Sequence, residues 1–239
     1  MVSHQWGRFL TCRKKGLSLG ASVMIVRVFL TLIAFLFVLP ATADEPAPAG
    51  QGGWESLFDG KSLAGWKITD FGGEGEVNVV DGVIVMRMGQ PLTGITWKDA
   101  GKIPTDNFEI TLQAMKRKGD DFFCALTFPV RDSHASFVVG GWAGTVVGLS
   151  SINGLDASEN ETTQYEKLDQ NKWYNVRVRV AGGKIECWLN DKQMVDVDLK
   201  DNRISTRIEV DPNKPLGVCC YNVESGIKDI KLRRLPASK

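Results

Sequence analysis

The stretch GLDASENETT (154–163) sets three carboxylates, Asp156, Glu159 and Glu161, within six positions among small and polar residues. Three chemistries are open to it. On a strand, Glu159 and Glu161 would share a face about 7 Å apart, a spacing compatible with acid and base work. The hard oxygens of Asp156, Asn160 and nearby carbonyls could instead hold a divalent cation such as calcium. The third reading is a solvated loop. Asp120-Asp121 follows Gly119 and precedes an apolar run, so it could project carboxylates from a strand end. His134, the one histidine after residue 43, carries the only side chain type whose ordinary pKa lies near neutrality. Arg131 stands three residues before it. Trp97 and Trp142 lie beside glycines or in loop-like segments, where an indole can either fill a core or present a stacking face.

Several chemistries are excluded by type and spacing. One histidine cannot make H-E-x-x-H or a multi-histidine zinc site. Asp59-Gly60-Lys61-Ser62 ends like a phosphate loop, but Glu55 stands where the first glycine is needed, so it reads as a turn. Phe71-Gly-Gly-Glu-Gly-Glu lacks the spacing of a dinucleotide fingerprint. G-x-S-x-G and E-x-D-x-x-E are both absent.

Strands must position whatever chemistry remains. VNVV, Asp81-Gly82 and VIVMRM form a hairpin signal, because Asp-Gly readily takes a type I′ turn. NFEITLQAM (107–115) alternates Phe108, Ile110, Leu112 and Ala114 against polar residues, as a half-buried strand does. DFFCALTFPV (121–130) is apolar throughout and suits a strand covered on both faces. SFVVGGWAGTVVGLSSI (136–152) reads as two strands around a glycine-rich corner. In 172–199, Tyr174, Val176, Val178 and Val180 alternate with Trp173, Asn175, Arg177 and Arg179, and the turns Gly182-Gly183 and Asn190-Asp191 make a three-stranded meander. About a dozen short strands with no capped helical period predict an all-β sandwich, a concanavalin A-like or laminin-G-like jelly roll.

The first 43 residues stand apart. Arg8, Arg13, Lys14, Lys15 and Arg27 precede the apolar run Val28 to Leu39, and Ala41-Thr42-Ala43 follows Pro40. This is the pattern of a cleaved secretory signal peptide. Interrupted by Arg27, the run falls short of the ~20 apolar residues of a membrane span. Export to the periplasm, cell surface or exterior is therefore expected. The Pro/Ala/Gly-rich 44–53 reads as a linker and 54–236 as the domain. The leader carries five of the 29 basic residues and no acid, which leaves 24 against 28 and a net charge of −4. Nucleic acid is not the expected partner. Cys124, Cys187, Cys219 and Cys220 could pair or stay as buried thiols.

GGWESLFDGKSLAGW (52–66), NFEITLQAM and NKPLGVCCYNVESGIKDIKLRRL (213–235) resemble the opening, an inner strand and the closing strands of the 3-keto-disaccharide hydrolase domain family. The resemblance spans roughly 53–236. Its middle departs from the family pattern: DDFFCALTFPVRD fills the place of an Asn-Ser-Gly strand, and Gln164-Tyr165-Glu166 only echoes a Tyr-Glu-x-Gln segment. The resemblance implies a carbohydrate-active protein acting on 3-keto-glycosides. A C3 ketone acidifies the C2 proton, so such a site needs a general base, an acid and a stabiliser of the enolate oxygen. Asp121, Glu161 and His134 are the candidates for proton transfer, Arg131 for the electrophile, and Trp97 and Trp142 for sugar stacking. Glu161 is expected to face the concave sheet near Trp142. A non-catalytic carbohydrate-binding module or an envelope adhesion domain is the alternative, and no cofactor is certain. Ala41 and Ala43 suit the −3 and −1 positions of signal peptidase, so N-terminal sequencing of the exported protein should read from Asp44; a start at Met1 would refute the cleavage.

Overall fold

The computed structural model describes residues 53–237. The leader and all of the linker except Gly53 lie outside them. Two antiparallel sheets face each other across one core. The first contains β1 (Glu55–Ser56), β3 (Val77–Val80), β4 (Val83–Met86), β6 (Phe108–Lys118), β11 (Trp173–Ala181), β12 (Lys184–Leu189), β13 (Lys192–Asp198) and β15 (Glu224–Arg234). Its order is β13-β12-β11-β6-β15-β4-β3, with β1 also against β15. The second contains β2 (Trp66–Ile68), β5 (Leu92–Trp97), β7 (Cys124–Val130), β8 (Ser133–Gly140), β9 (Val146–Ser150), β10 (Gln164–Tyr165) and β14 (Gly217–Tyr221), in the order β10-β9-β8-β7-β14-β5-β2. The expected β-sandwich is what the chain forms.

The pattern in the chain sets these elements. Asp81 and Gly82 take φ values of 50° and 78°, so β3 and β4 are joined by the type I′ geometry that Asp-Gly favours. The meander is β11 to β13, with Val176, Val178 and Val180 fully buried against the core and Arg177 and Arg179 on the other face. Outward-facing Glu109 on β6 is only 2% exposed, yet it is paired with Arg177 at 3.4 Å and with Arg233. A carboxylate so desolvated is tolerable only with such partners. Arg177 in turn lies 3.6 Å from the Trp188 ring centroid. Asp59 caps its own turn, its Oδ1 accepting the N–H groups of Lys61 and Ser62 at 2.8 Å each. Residues 59–62 are thus a turn and hold no phosphate cradle.

The four cysteines of the domain are free and buried. Burial pushes the Cys220 thiol up to about 12 and the other three also well above their ordinary value. They are packing groups without nucleophilic character. Among the described residues no helix is long and apolar enough to cross a membrane.

Candidate functional site

The site follows from which residues pave the outer face of the second sheet. One row across it runs Gly94, Cys219, Ala125, Val138, Gly148; the next runs Thr96, Gly217, Thr127, Ser136, Ser150. Nearly all are small, and all are buried although they point away from the main core. Two loops cover them. Residues 151–163 lie over β9, where a Cβ at Gly148 would come within 3.0 Å of the Thr162 carbonyl. Residues 203–213 lie over β14, where a Cβ at Gly217 would stand 2.6 Å from the Asn213 carbonyl. The loops are also stitched to each other, with Ser151 N–H donating to the Ser205 carbonyl at 2.6 Å and Asn153 N–H to that of Arg203 at 2.8 Å. Asn213 accepts from Thr69 Oγ1 at 2.9 Å, which anchors the second loop to the sheet edge.

This covering stops short of one end of the sheet, where a cavity of about 560 Å³ remains. Its size and mainly apolar wall suit a small-molecule site. Leu92, Phe122, Val210 and Tyr221 belong to a second apolar cluster that forms its base, with the Phe122 and Tyr221 rings 5.7 Å apart. Phe71 reaches it from the loop after β2, and Trp142 from the corner between β8 and β9. That corner is no ordinary helix turn: Gly140, Trp142, Ala143 and Gly144 all have positive φ. Trp142 itself sits at φ 49°, ψ 69° and is 40% exposed. Left-handed backbone at a bulky residue costs free energy, on the order of 1–3 kcal/mol, and persists where the surroundings enforce it. Here it turns an indole toward the cavity instead of the core.

The charged wall is made by Asp70, Asp121, Arg207 and Glu209. Arg207 grips Glu209 with two donors, at 2.8 and 3.3 Å, and contacts Asp156 with a third. Its hydrogen bonding holds the Glu209 carboxyl below the usual carboxylate range. Asp156 also accepts from Ser150 Oγ at 3.3 Å and Ser151 Oγ at 3.2 Å. It therefore clamps one covering loop to the other. Asp121 is differently placed: its Oδ1 accepts only the Phe122 N–H, at 2.7 Å.

Of the residues singled out from sequence, the structure brings Asp121 and Trp142 into one cavity and leaves the others elsewhere. Glu161 is exposed and accepts from Asn202 at 3.3 Å, so it shares no cavity with Trp142. The reason is local. Asn160 ties residues 154–163 into a tight loop, donating to the Leu149 carbonyl at 2.7 Å and accepting from Thr162 Oγ1 at 2.6 Å, which turns Glu159 and Glu161 outward. His134 lies on strand β8 opposite Pro129 and outside the loop expected for it. Burial, aided by the nearby Lys214 ammonium, pushes its pKa down. Arg131 occupies the β7–β8 turn with φ 52° and faces Asp106 at 4.0 Å. Trp97 ends β5 and packs edge-on against Trp66, ring centroids 5.2 Å apart, at the rim of the main core. Among the described residues no three His, Cys, Asp or Glu side chains converge as an ion site.

Residues 53–233 match the model of the 3-keto-alpha-glucoside-1,2-lyase-like domain, and the chain belongs to that family. No curated protein matches it significantly. Among solved structures it is similar to a Bacillus subtilis protein with a galectin-like fold, at 9% identity and a TM-score of 0.54, covering 78% of this chain and 98% of that one. It is also similar to the Crh5 transglycosylase in complex with NAG, at 12% identity and a TM-score of 0.50, covering 79% and 86% of the two chains. At such identities the likeness establishes the sandwich fold.

Within GLDASENETT the structure separates one clamp from two solvated acids. Asp156→Ala should lower unfolding free energy by about 1–3 kcal/mol, as loss of a charged hydrogen-bond hub does. Glu161→Gln should change it by no more than ~0.5 kcal/mol. Urea denaturation followed by tryptophan fluorescence checks both, and equal effects would contradict the assignment.

Proposed function

We propose that the protein is an exported, carbohydrate-active member of this family whose cavity beneath Trp142 takes a 3-keto-glycoside and eliminates its C1 substituent. The observation that carries the reading is Trp142, held in left-handed backbone so that its indole borders a cavity with both an apolar base and a carboxylate wall. A sugar ring has an apolar C–H face and a polar rim, and this cavity offers a partner to each.

The chemistry follows from the ketone. With C3 oxidised, the C2 proton is acidic enough for a carboxylate to remove. Asp121 is the acid best suited, since one of its oxygens accepts a backbone N–H and the other stays available. Glu209 is committed to Arg207. The C2 proton passes to Asp121 and its electron pair moves onto the C3 oxygen as an enolate. As the enolate collapses back to the ketone the C1=C2 bond forms, the C1–O bond breaks, and the leaving oxygen takes the proton back from Asp121. Positive charge from Arg207 would favour the anionic oxygen that develops at C3. Water adds to the unsaturated product in a later step, giving net hydrolysis.

A second reading, a carbohydrate-binding module, is favoured by one observation. Arg207 commits three of its five N–H donors to Asp156 and Glu209, as a purely structural arginine would. The two readings part on Asp121. Turnover of 3-keto-trehalose and 3-keto-sucrose, with the parent sugars as controls, should fall ~10²-fold or more in kcat for Asp121→Asn with KM nearly unchanged. Trp142→Ala should raise KM about tenfold. Unchanged turnover in Asp121→Asn would remove Asp121 as the base. Binding without turnover by the unaltered protein would establish the module.

A further inference from the structure

The inward row of β6 runs Phe108, Ile110, Leu112, Ala114 and then Lys116. A lysine thus continues a stripe of core residues and is only 6% exposed. Among the described residues no ion pair or hydrogen bond engages its ammonium. The stem is packed against the core while the ammonium at its end keeps access to the adjoining cavity, as a long cationic side chain ordinarily does. Lys116 lines a second cavity of about 440 Å³, and a Cβ at Gly144 of the Trp142 corner would stand 3.5 Å from Nζ. Asp120, Glu166 and Tyr165 line the same cavity, and Tyr165 is 71% exposed. Glu166 is also held by Lys192.

We propose that this cavity is a second sugar subsite, in which Lys116 donates to a ring hydroxyl and the Asp120 and Glu166 carboxylates accept from others, with Tyr165 against the ring face. The donor and acceptor set selects the ligand class. Lys167 lines the cavity as well, so a free anion would meet two carboxylates and a free cation two ammonium groups, whereas sugar hydroxyls both donate and accept and so complement both signs. Placement supports a shared ligand. Asp120 and Asp121, and likewise Trp142 and Ala143, are consecutive residues that line opposite cavities, so about 3.8 Å of backbone separates the two walls. A glycan crossing the corner would place one ring on Trp142 and its neighbour over Lys116. This inference rests on the first cavity being the sugar site.

The test uses the mature chain carrying Asp121→Asn to stop turnover, titrated with 3-keto-glucose and with 3-keto-trehalose by tryptophan fluorescence. Lys116→Met keeps the stem and removes the charge; Tyr165→Ala alters an exposed residue and leaves the core intact. Each should raise Kd for the disaccharide about tenfold and leave Kd for the monosaccharide unchanged. Equal effects on both sugars, or none on either, would overturn the subsite, the latter meaning that Lys116 only pads the core with its stem. If neither sugar binds the unsubstituted Asp121→Asn chain, the reading of the first cavity falls along with it.

Discussion

The candidate site depends on how closely two loops can approach the outer face of the second sheet. A sandwich of this kind offers that face as a broad open surface, but here Gly94, Ala125, Gly148 and Gly217 make it shallow enough for backbone to lie on it. Residues 151–163 and 203–213 fill most of it, and the carbonyls of Thr162 and Asn213 come so near that side chains at Gly148 and Gly217 would displace them. The result is a cavity at the end of the sheet that the two loops leave uncovered. Van der Waals exclusion, more than any single hydrogen bond, decides where a ligand can sit.

Electrostatics then holds the arrangement in place. Arg207 joins Asp156 on one loop to Glu209 on the other, so the charges nearest the cavity also fasten its cover. Arg207 and Glu209 are themselves exposed, so the hold comes from several charge-assisted hydrogen bonds converging on one guanidinium and not from burial. The Trp142 corner works in the opposite sense. There the backbone is held in an unfavourable region so that an aromatic ring faces outward, and its neighbours Gly140, Gly141 and Gly144 are what make the turn feasible.

The sandwich was legible because its signals are local. Alternation in NFEITLQAM and in the 172–199 meander, with the Asp-Gly, Gly-Gly and Asn-Asp turns, follows from strand geometry alone. The site was legible only in part. Trp142 and Asp121 stood out because each sits where a strand meets glycines. As cavity residues Phe71, Tyr221, Arg207 and Glu209 escaped notice, since what brings them together is the long-range meeting of separate loops with strand β14. RISTRIEVDP contains the arginine and two acids of the cover but has no periodicity or motif to mark it. Conversely, Glu161 and His134 have suggestive chemistry in one dimension. An Asn160-centred loop and a strand position take them out of reach.

The claim on which this account turns is that the cavity under Trp142 is where sugar binds. A crystal structure of the Asp121→Asn protein soaked with 3-keto-trehalose tests it most directly. The account predicts a sugar ring stacked on the Trp142 indole above Phe122 and Tyr221, its oxygens toward residue 121 and Arg207. A ring found instead beside His134, or across Trp54, Trp173 and Trp188 on the first sheet, would contradict it.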